Sequence, residues 1–157
     1  MKGEIFMVLV QCFYCKKFEF YNNHEELYFC KKCGRNLIEK GIAELVFVLN
    51  HHGIKTERSC EGNNDFESGC YQFPWITLAN EEDAPALEEA TNAYNKRYCI
   101  FNPSLSKWKV DFNFQVRKFW ILPEETQKKS KNLQEESEYL AWYLDLTWNL
   151  HKIKKGK

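Results

Sequence analysis

Two cysteine pairs, Cys12-Phe13-Tyr14-Cys15 and Cys30-Lys31-Lys32-Cys33, stand fourteen residues apart near the start of the chain. Thiolates in two such pairs can close tetrahedrally on one ion, and soft sulfur selects zinc over harder cations. Each C-x-x-C bends so that backbone N–H groups face its first sulfur, and Gly34 supplies permissive backbone straight after the last ligand. A closed shell of four sulfurs leaves no position for a water, so such an ion is structural and any catalysis lies elsewhere. The competing uses of the same residues are two disulfides in a secreted protein and a redox C-x-x-C. The chain has seven cysteines, an odd number that does not suit a fully paired disulfide framework. It does suit four ligands plus Cys60, Cys70 and Cys99 as thiols. One structural Zn2+ on Cys12, Cys15, Cys30 and Cys33 is therefore expected.

The sharpest feature outside these pairs is Thr56-Glu57-Arg58-Ser59-Cys60-Glu61-Gly62, where a strand pattern ends at a glycine turn. A thiol there, beside Arg58 and Ser59 and near His51 and His52 in sequence, has the makings of a nucleophile or a ligand-gripping group. The plainer reading is a small buried residue before a turn, since cysteine is among the most buried residue types. Glu61 opposes thiolate formation and no His or Asp is placed by local spacing to act as base, so a largely buried Cys60 under the Gly62 turn is expected. Cys60 and Cys70 bracket a polar loop, but their spacing has no specificity for pairing or for a second metal with His51 or His52. Those two histidines suit a helix end, where a cationic imidazole favours the dipole.

Two further sets concern partners. Glu81, Glu82, Asp83, Glu88 and Glu89 make an acidic cluster at the start of a helical pattern, a means of occupying a basic groove on another protein. Lys16, Lys17, Lys31, Lys32 and Arg35 interleave with Phe13, Tyr14 and Tyr28, the mix of cation and stacking surface that binds single-stranded nucleic acid, although lysines around knuckles are also common solvated filler.

The elements that position these groups follow from periodicity. Glu4 to Val10 reads as a strand, and Phe18 to Tyr21 and Leu27 to Phe29 read as two more around a turn at Asn22-Asn23. So small a module buries too little apolar surface alone, and structural zinc supplies roughly 10 to 16 kcal/mol of apparent folding free energy. Its many aromatics either dock on the rest of the protein or form a partner-binding patch. From Asn36, apolar residues at Ile38, Ile42, Leu45, Val46 and Leu49 mark a core-facing helix with Gly53 as its stop. Strands are expected at Ile54 to Ser59 and Phe73 to Leu78. A helix follows with Asp83 as N-cap, Pro85 in its first turn and Leu87, Ala90 and Tyr94 on one face. Trp108, Val110, Phe112, Phe114 and Val116 alternate with polar residues as one strand with a buried and a wet face, continuing through Phe119 to Leu122, where the alternation breaks at a bulge or in a strand buried on both faces. Leu133 to Ile153 reads as a last helix, apolar on two sides and so in need of two neighbours.

Charge and length bound the rest. Twenty-two basic residues balance 22 acidic ones among 157, so no overall field draws the chain to phosphate backbones or anionic membranes. The balance is uneven, with 7 basic and 6 acidic groups in residues 1–50, 4 and 9 in 51–100, and 11 and 7 in 101–157. No apolar run reaches the roughly 18 residues of a membrane span, and Ile5 to Val10 is too short for a signal peptide, so a cytoplasmic protein is expected.

A resemblance attaches to these motifs. The helix ending in Gly-Ile, then Thr-x-x-Ser-Cys-x-Gly, a loop and Pro-Trp-Ile, looks like a pattern in small uncharacterised bacterial and bacteriophage proteins. Over Gly53 to Ile76 it is also distantly similar to the Ser-Cys-Ser-Gly motif of the wybutosine-synthesis protein 3 family, which implies action on tRNA; Asn63 stands where that family has an arginine. The first segment is similar to zinc ribbons generally. The expectation is an α+β protein, a zinc ribbon at 1–36 fused to a domain at 37–157 of order α-β-β-α-β-α, its helices mostly on one face of an antiparallel or mixed sheet. The expected function is that of a small non-enzymatic binding or regulatory protein, a phage or mobile-element accessory factor that inhibits or adapts a host nucleic-acid machine through protein contacts. The alternative is an RNA- or nucleotide-directed enzyme centred on Cys60.

Overall fold

The computed structural model describes residues 7–11, 18–22, 28–29, 32, 36–38, 40–62 and 71–155. Four short strands open it. Strand β1 (Met7–Gln11) pairs antiparallel with β2 (Phe18–Asn22), from Met7 opposite Asn22 to Gln11 opposite Phe18. Strand β3 (Tyr28–Phe29) pairs with β4 (Asn36–Ile38). The strands at Phe18 and Tyr28 were expected to pair with each other, and each pairs elsewhere. A two-residue strand offers too few ladder bonds to satisfy the five residues of β2, whereas β1 matches it residue for residue.

Helix α1 (Lys40–His51) starts four residues later than the apolar stripe implied, because Asn36 to Ile38 belong to β4. It is buried almost all round: Ile42, Ala43, Leu45, Val46, Phe47, Val48 and Leu49 all belong to the core. Such a helix needs neighbours on several sides. It has α3 (Ser130–Lys155), β1, β4 and β5 (Thr56–Cys60). Gly53 ends it at φ +89, with its N–H on Asn50 O (3.1 Å) and that of Ile54 on Leu49 O (2.9 Å), the paired bonds of a Schellman cap.

The central sheet has four antiparallel strands in the order β5-β6-β8-β7, with β6 at Trp75–Leu78, β7 at Trp108–Asn113 and β8 at Lys118–Pro123. The domain therefore runs α-β-β-α-β-β-α, one strand more than the sequence implied. The extra strand arises where a single continuous one was expected. Asn113 Oδ1 accepts the N–H groups of Gln115 (2.9 Å) and Val116 (3.4 Å), Arg117 takes φ +56, and the chain reverses so that β8 pairs β7 at six positions. Phe114 and Val116 consequently lie on the turn, 83% and 48% exposed, and not on the buried face.

Register separates the two faces. Ile76, Ile121 and Val110 stand opposite one another in a buried row, joined in the core by residues of all three helices. Thr77, Trp120 and Asp111, one position along, point to the other face. Helix α2 (Ala84–Tyr94) buries Leu87, Thr91 and Tyr94 and is led in by a 3-10 turn at Glu81–Asp83. Asp83 precedes it as expected but makes no capping hydrogen bond with its side chain. A π turn at Asn95–Cys99 prolongs α2 and aims Asn95 at β7. Its amide donates to Trp108 O (2.7 Å) and accepts from Trp108 N–H (3.0 Å). Helix α3 buries Leu133, Leu140, Ala141 and Leu144 and packs against both α1 and α2, the two neighbours its sequence required. No helix among the described residues is long and apolar enough to cross a membrane.

Candidate functional site: an aromatic groove on the open sheet face

Cys12, Cys15, Cys30 and Cys33 lie outside the described residues, as do Cys70 and the lysines of the knuckles other than Lys32, which is exposed. The first cysteine pair falls in the segment that joins β1 to β2, the second in the segment that joins β3 to β4.

Around Cys60 the structure gives a packed turn. Cys60 is 5% exposed and its Sγ takes the N–H of Gly62 at 3.4 Å. Gly62 has φ +85, and a Cβ there would come within 2.7 to 2.9 Å of backbone atoms of Gln72, Phe73 and Pro74. Ser59 is half-buried and Arg58 exposed. Between Thr56 and Ser59 the pairing with β6 slips, and the Thr77 hydroxyl holds the slip by accepting the Arg58 N–H (2.9 Å) and donating to its carbonyl (3.2 Å). Cys99 is buried too, and burial, reinforced by Glu136, pushes its thiol up from the ordinary range. Of the acidic cluster, Glu81, Glu82, Glu88 and Glu89 are exposed. Asp83 is half-buried, and burial followed by the adjacent Glu82 pushes its carboxyl up.

The bulge and the β7–β8 turn bound a groove that no local motif announced. It has a volume of about 270 Å³ and is walled by Trp75, Thr77 and Trp120 on the sheet, with Tyr71 and Lys118 at its rim. Ring geometry makes the wall continuous. Tyr71 stacks on Phe73 with centroids 5.0 Å apart, Trp120 turns its ring against Tyr71 (5.8 Å) and Phe73 (6.0 Å), and Trp75 lies 6.0 Å from Trp120. The rim is polar: Tyr71 donates to Gln115 Oε1 (3.3 Å) and Lys118 pairs with Glu57 (3.1 Å). The indole N–H of Trp75 is buried without an acceptor among the described residues. Apolar walls with a few polar groups at the mouth are the usual make-up of a ligand site.

Lys118 also lines a second groove, of about 240 Å³, at the end of the sheet, together with Arg117, Asn80, Glu81 and Glu82. The aromatic groove and part of the acidic cluster therefore adjoin. The sequence signal for the groove was Trp75 and Trp120, each next to an isoleucine of the buried row and so pointing the opposite way. No protein-family model, no curated protein and no solved structure matches this chain.

Proposed function

We propose that the protein is a small non-enzymatic binding protein, stapled at its N-terminal end by one zinc on Cys12, Cys15, Cys30 and Cys33, that regulates a nucleic-acid-handling machine by contacting a basic protein of it. The observation that carries this reading is that the aromatic groove adjoins, at Lys118, a second groove lined by Glu81 and Glu82 of the acidic cluster together with Arg117. Interface energy concentrates in aromatic anchors that sit in desolvated pockets, while complementary charge at the rim sets orientation and encounter rate. A partner that offers an apolar or aromatic side chain beside a lysine or arginine cluster matches both halves. The paired C-x-x-C spacing is what supports the zinc, and the burial of Cys60 speaks against a nucleophilic thiol, which must be reachable.

The test is affinity capture from host lysate treated with nuclease, with three baits: the wild-type chain, Trp120→Ala, and Glu81→Lys/Glu82→Lys/Glu88→Lys. The expected result is one stoichiometric protein partner on the wild type, lost from both variants, with thermal stability of the exposed triple variant within about 0.5 kcal/mol of wild type. Recovery of RNA alone from untreated lysate, with no protein partner, would replace this reading with the nucleic-acid-directed one.

A further inference from the structure

We infer that His51, His52 and Asp145 form a second metal site, for one divalent ion of the zinc, cobalt or nickel class, at the seam between the end of α1 and α3. One donor atom from each, an imidazole nitrogen from either histidine and a carboxylate oxygen from Asp145, lie within 4.8 Å of one another. The donor chemistry selects the ion. Imidazole suits these transition metals, whereas calcium and magnesium seek shells made mostly of oxygen.

The spacing is close to what coordination requires. Metal bonds of about 2.0 to 2.2 Å set tetrahedral donors about 3.3 to 3.5 Å apart. His52 Nε2 stands 2.7 Å from Asp145 Oδ1, so an ion entering between them needs that pair to open by roughly 0.6 Å. The two outer ligands have the freedom to do this: His51 is exposed and the Asp145 side chain is 38% exposed. His52 is the fixed member. Its side chain is 1% exposed, it packs against the Trp148 ring at 5.2 Å and the His51 ring at 5.1 Å, and its N–H is held by Val48 O (3.1 Å). One rigid and two adjustable ligands, open to solvent at His51, leave a fourth position for water or an incoming group.

Two features of the fold favour a cation here. The carbonyl-rich end of α1 carries the negative pole of the helix, which attracts positive charge within its last turn. The Gly53 cap fixes the backbone just past His51 and His52, so both rings leave the helix toward α3. An ion bound there ties α1 to α3 and, by mass action, raises the stability of the folded chain. This site shares no ligand with the four cysteines, whose softer thiolates favour zinc over an imidazole–carboxylate set.

The experiment is a calorimetric titration of the zinc-loaded full chain, passed over chelating resin to strip loosely held metal, with Ni2+ as the probe. Wild type is expected to take up one further equivalent, and His51→Ala and Asp145→Asn to bind it at least about tenfold more weakly, since even indirect partners of metal ligands are worth that much. His51 is exposed, so its variant folds and the comparison holds whatever the other variant does. A parallel titration with Co2+ read by proton–nitrogen NMR should shift the ring signals of His51 and His52 ahead of those of the other histidines. Absence of a further equivalent, or equal affinity in wild type and His51→Ala, would overturn the site.

Discussion

Replacing Gly62 by Ala tests how tightly the turn after Cys60 is backed by the strand that follows. Gly53 serves as its internal control, because both residues have positive φ, +85 and +89, and a side chain in left-handed backbone costs about 1 to 2 kcal/mol at either. Part of that is offset, by roughly 0.4 to 1 kcal/mol, because alanine stiffens the unfolded chain. At Gly53 a Cβ meets nothing within 4 Å, so Gly53→Ala should destabilise by no more than about 1.6 kcal/mol. At Gly62 the same atom meets Gln72 O at 2.7 Å, Phe73 C at 2.8 Å and Pro74 N at 2.9 Å. All three are main-chain atoms and none can rotate aside. The two backbones must separate, which adds the roughly 1 to 3 kcal/mol typical of overpacking, so Gly62→Ala should cost about 1 to 3 kcal/mol more than Gly53→Ala. Urea unfolding followed by far-UV circular dichroism reads this as a fall in midpoint at constant slope. Trp75, next after Pro74, should also change its emission in the folded state. A Gly62→Ala midpoint equivalent to within about 0.5 kcal/mol of that of Gly53→Ala would show that the close approach has no energetic meaning.

Fresh protein should carry one equivalent of zinc, and Cys30→Ser should lower the content below half an equivalent; metal analysis decides it. Iodoacetamide applied briefly to zinc-loaded native protein should leave Cys60 unmodified in peptide mass spectra, and rapid selective alkylation there would revive the enzyme reading. Tyr94 is buried with its hydroxyl unpartnered among the described residues, and burial, then Cys99, pushes its pKa above the ordinary 10.0. The folded state keeps this proton to higher pH than the unfolded chain, so the contribution is whole below pH 10 and is lost as pH rises beyond it. Tyr94→Phe should melt within about 1 kcal/mol of wild type at neutral pH, since no hydrogen bond is lost, and should flatten the alkaline decline. An unchanged alkaline slope would refute that assignment.

Amphipathic periodicity carried most of the fold to the surface of the sequence. The stripes of α1 and α3, the Gly53 stop, the Pro85 start and the alternation from Trp108 to Phe112 are local signals, and the structure follows them. The β7–β8 turn was illegible for a physical reason. Phe114 and Val116 continue the apolar alternation although they are exposed, and the turn is made by one Asn113 side chain and a left-handed Arg117, with no glycine or proline to mark it. The aromatic groove was hidden because Tyr71 and Trp75 come from one segment and Trp120 from another forty-five residues on from Trp75, which only the β6–β8 pairing brings together. The same holds for Asp145, which lies ninety-three residues from His52 along the chain and 2.7 Å away in space.

Asn95 has one more effect, on the company the protein keeps at high concentration. Strand β7 is an edge of the sheet, and an edge with bare N–H and C=O groups recruits strands from other molecules into fibrous aggregates. The Asn95 amide occupies both outward groups of Trp108, and the Asp111 carboxylate takes the Phe112 N–H at 2.9 Å. Between these two plugs at most the Val110 rung stays open, too short a template for a foreign strand to zip onto. A side chain borrowed from α2's extension thus does at this edge the work of a fifth strand that the fold never had to build.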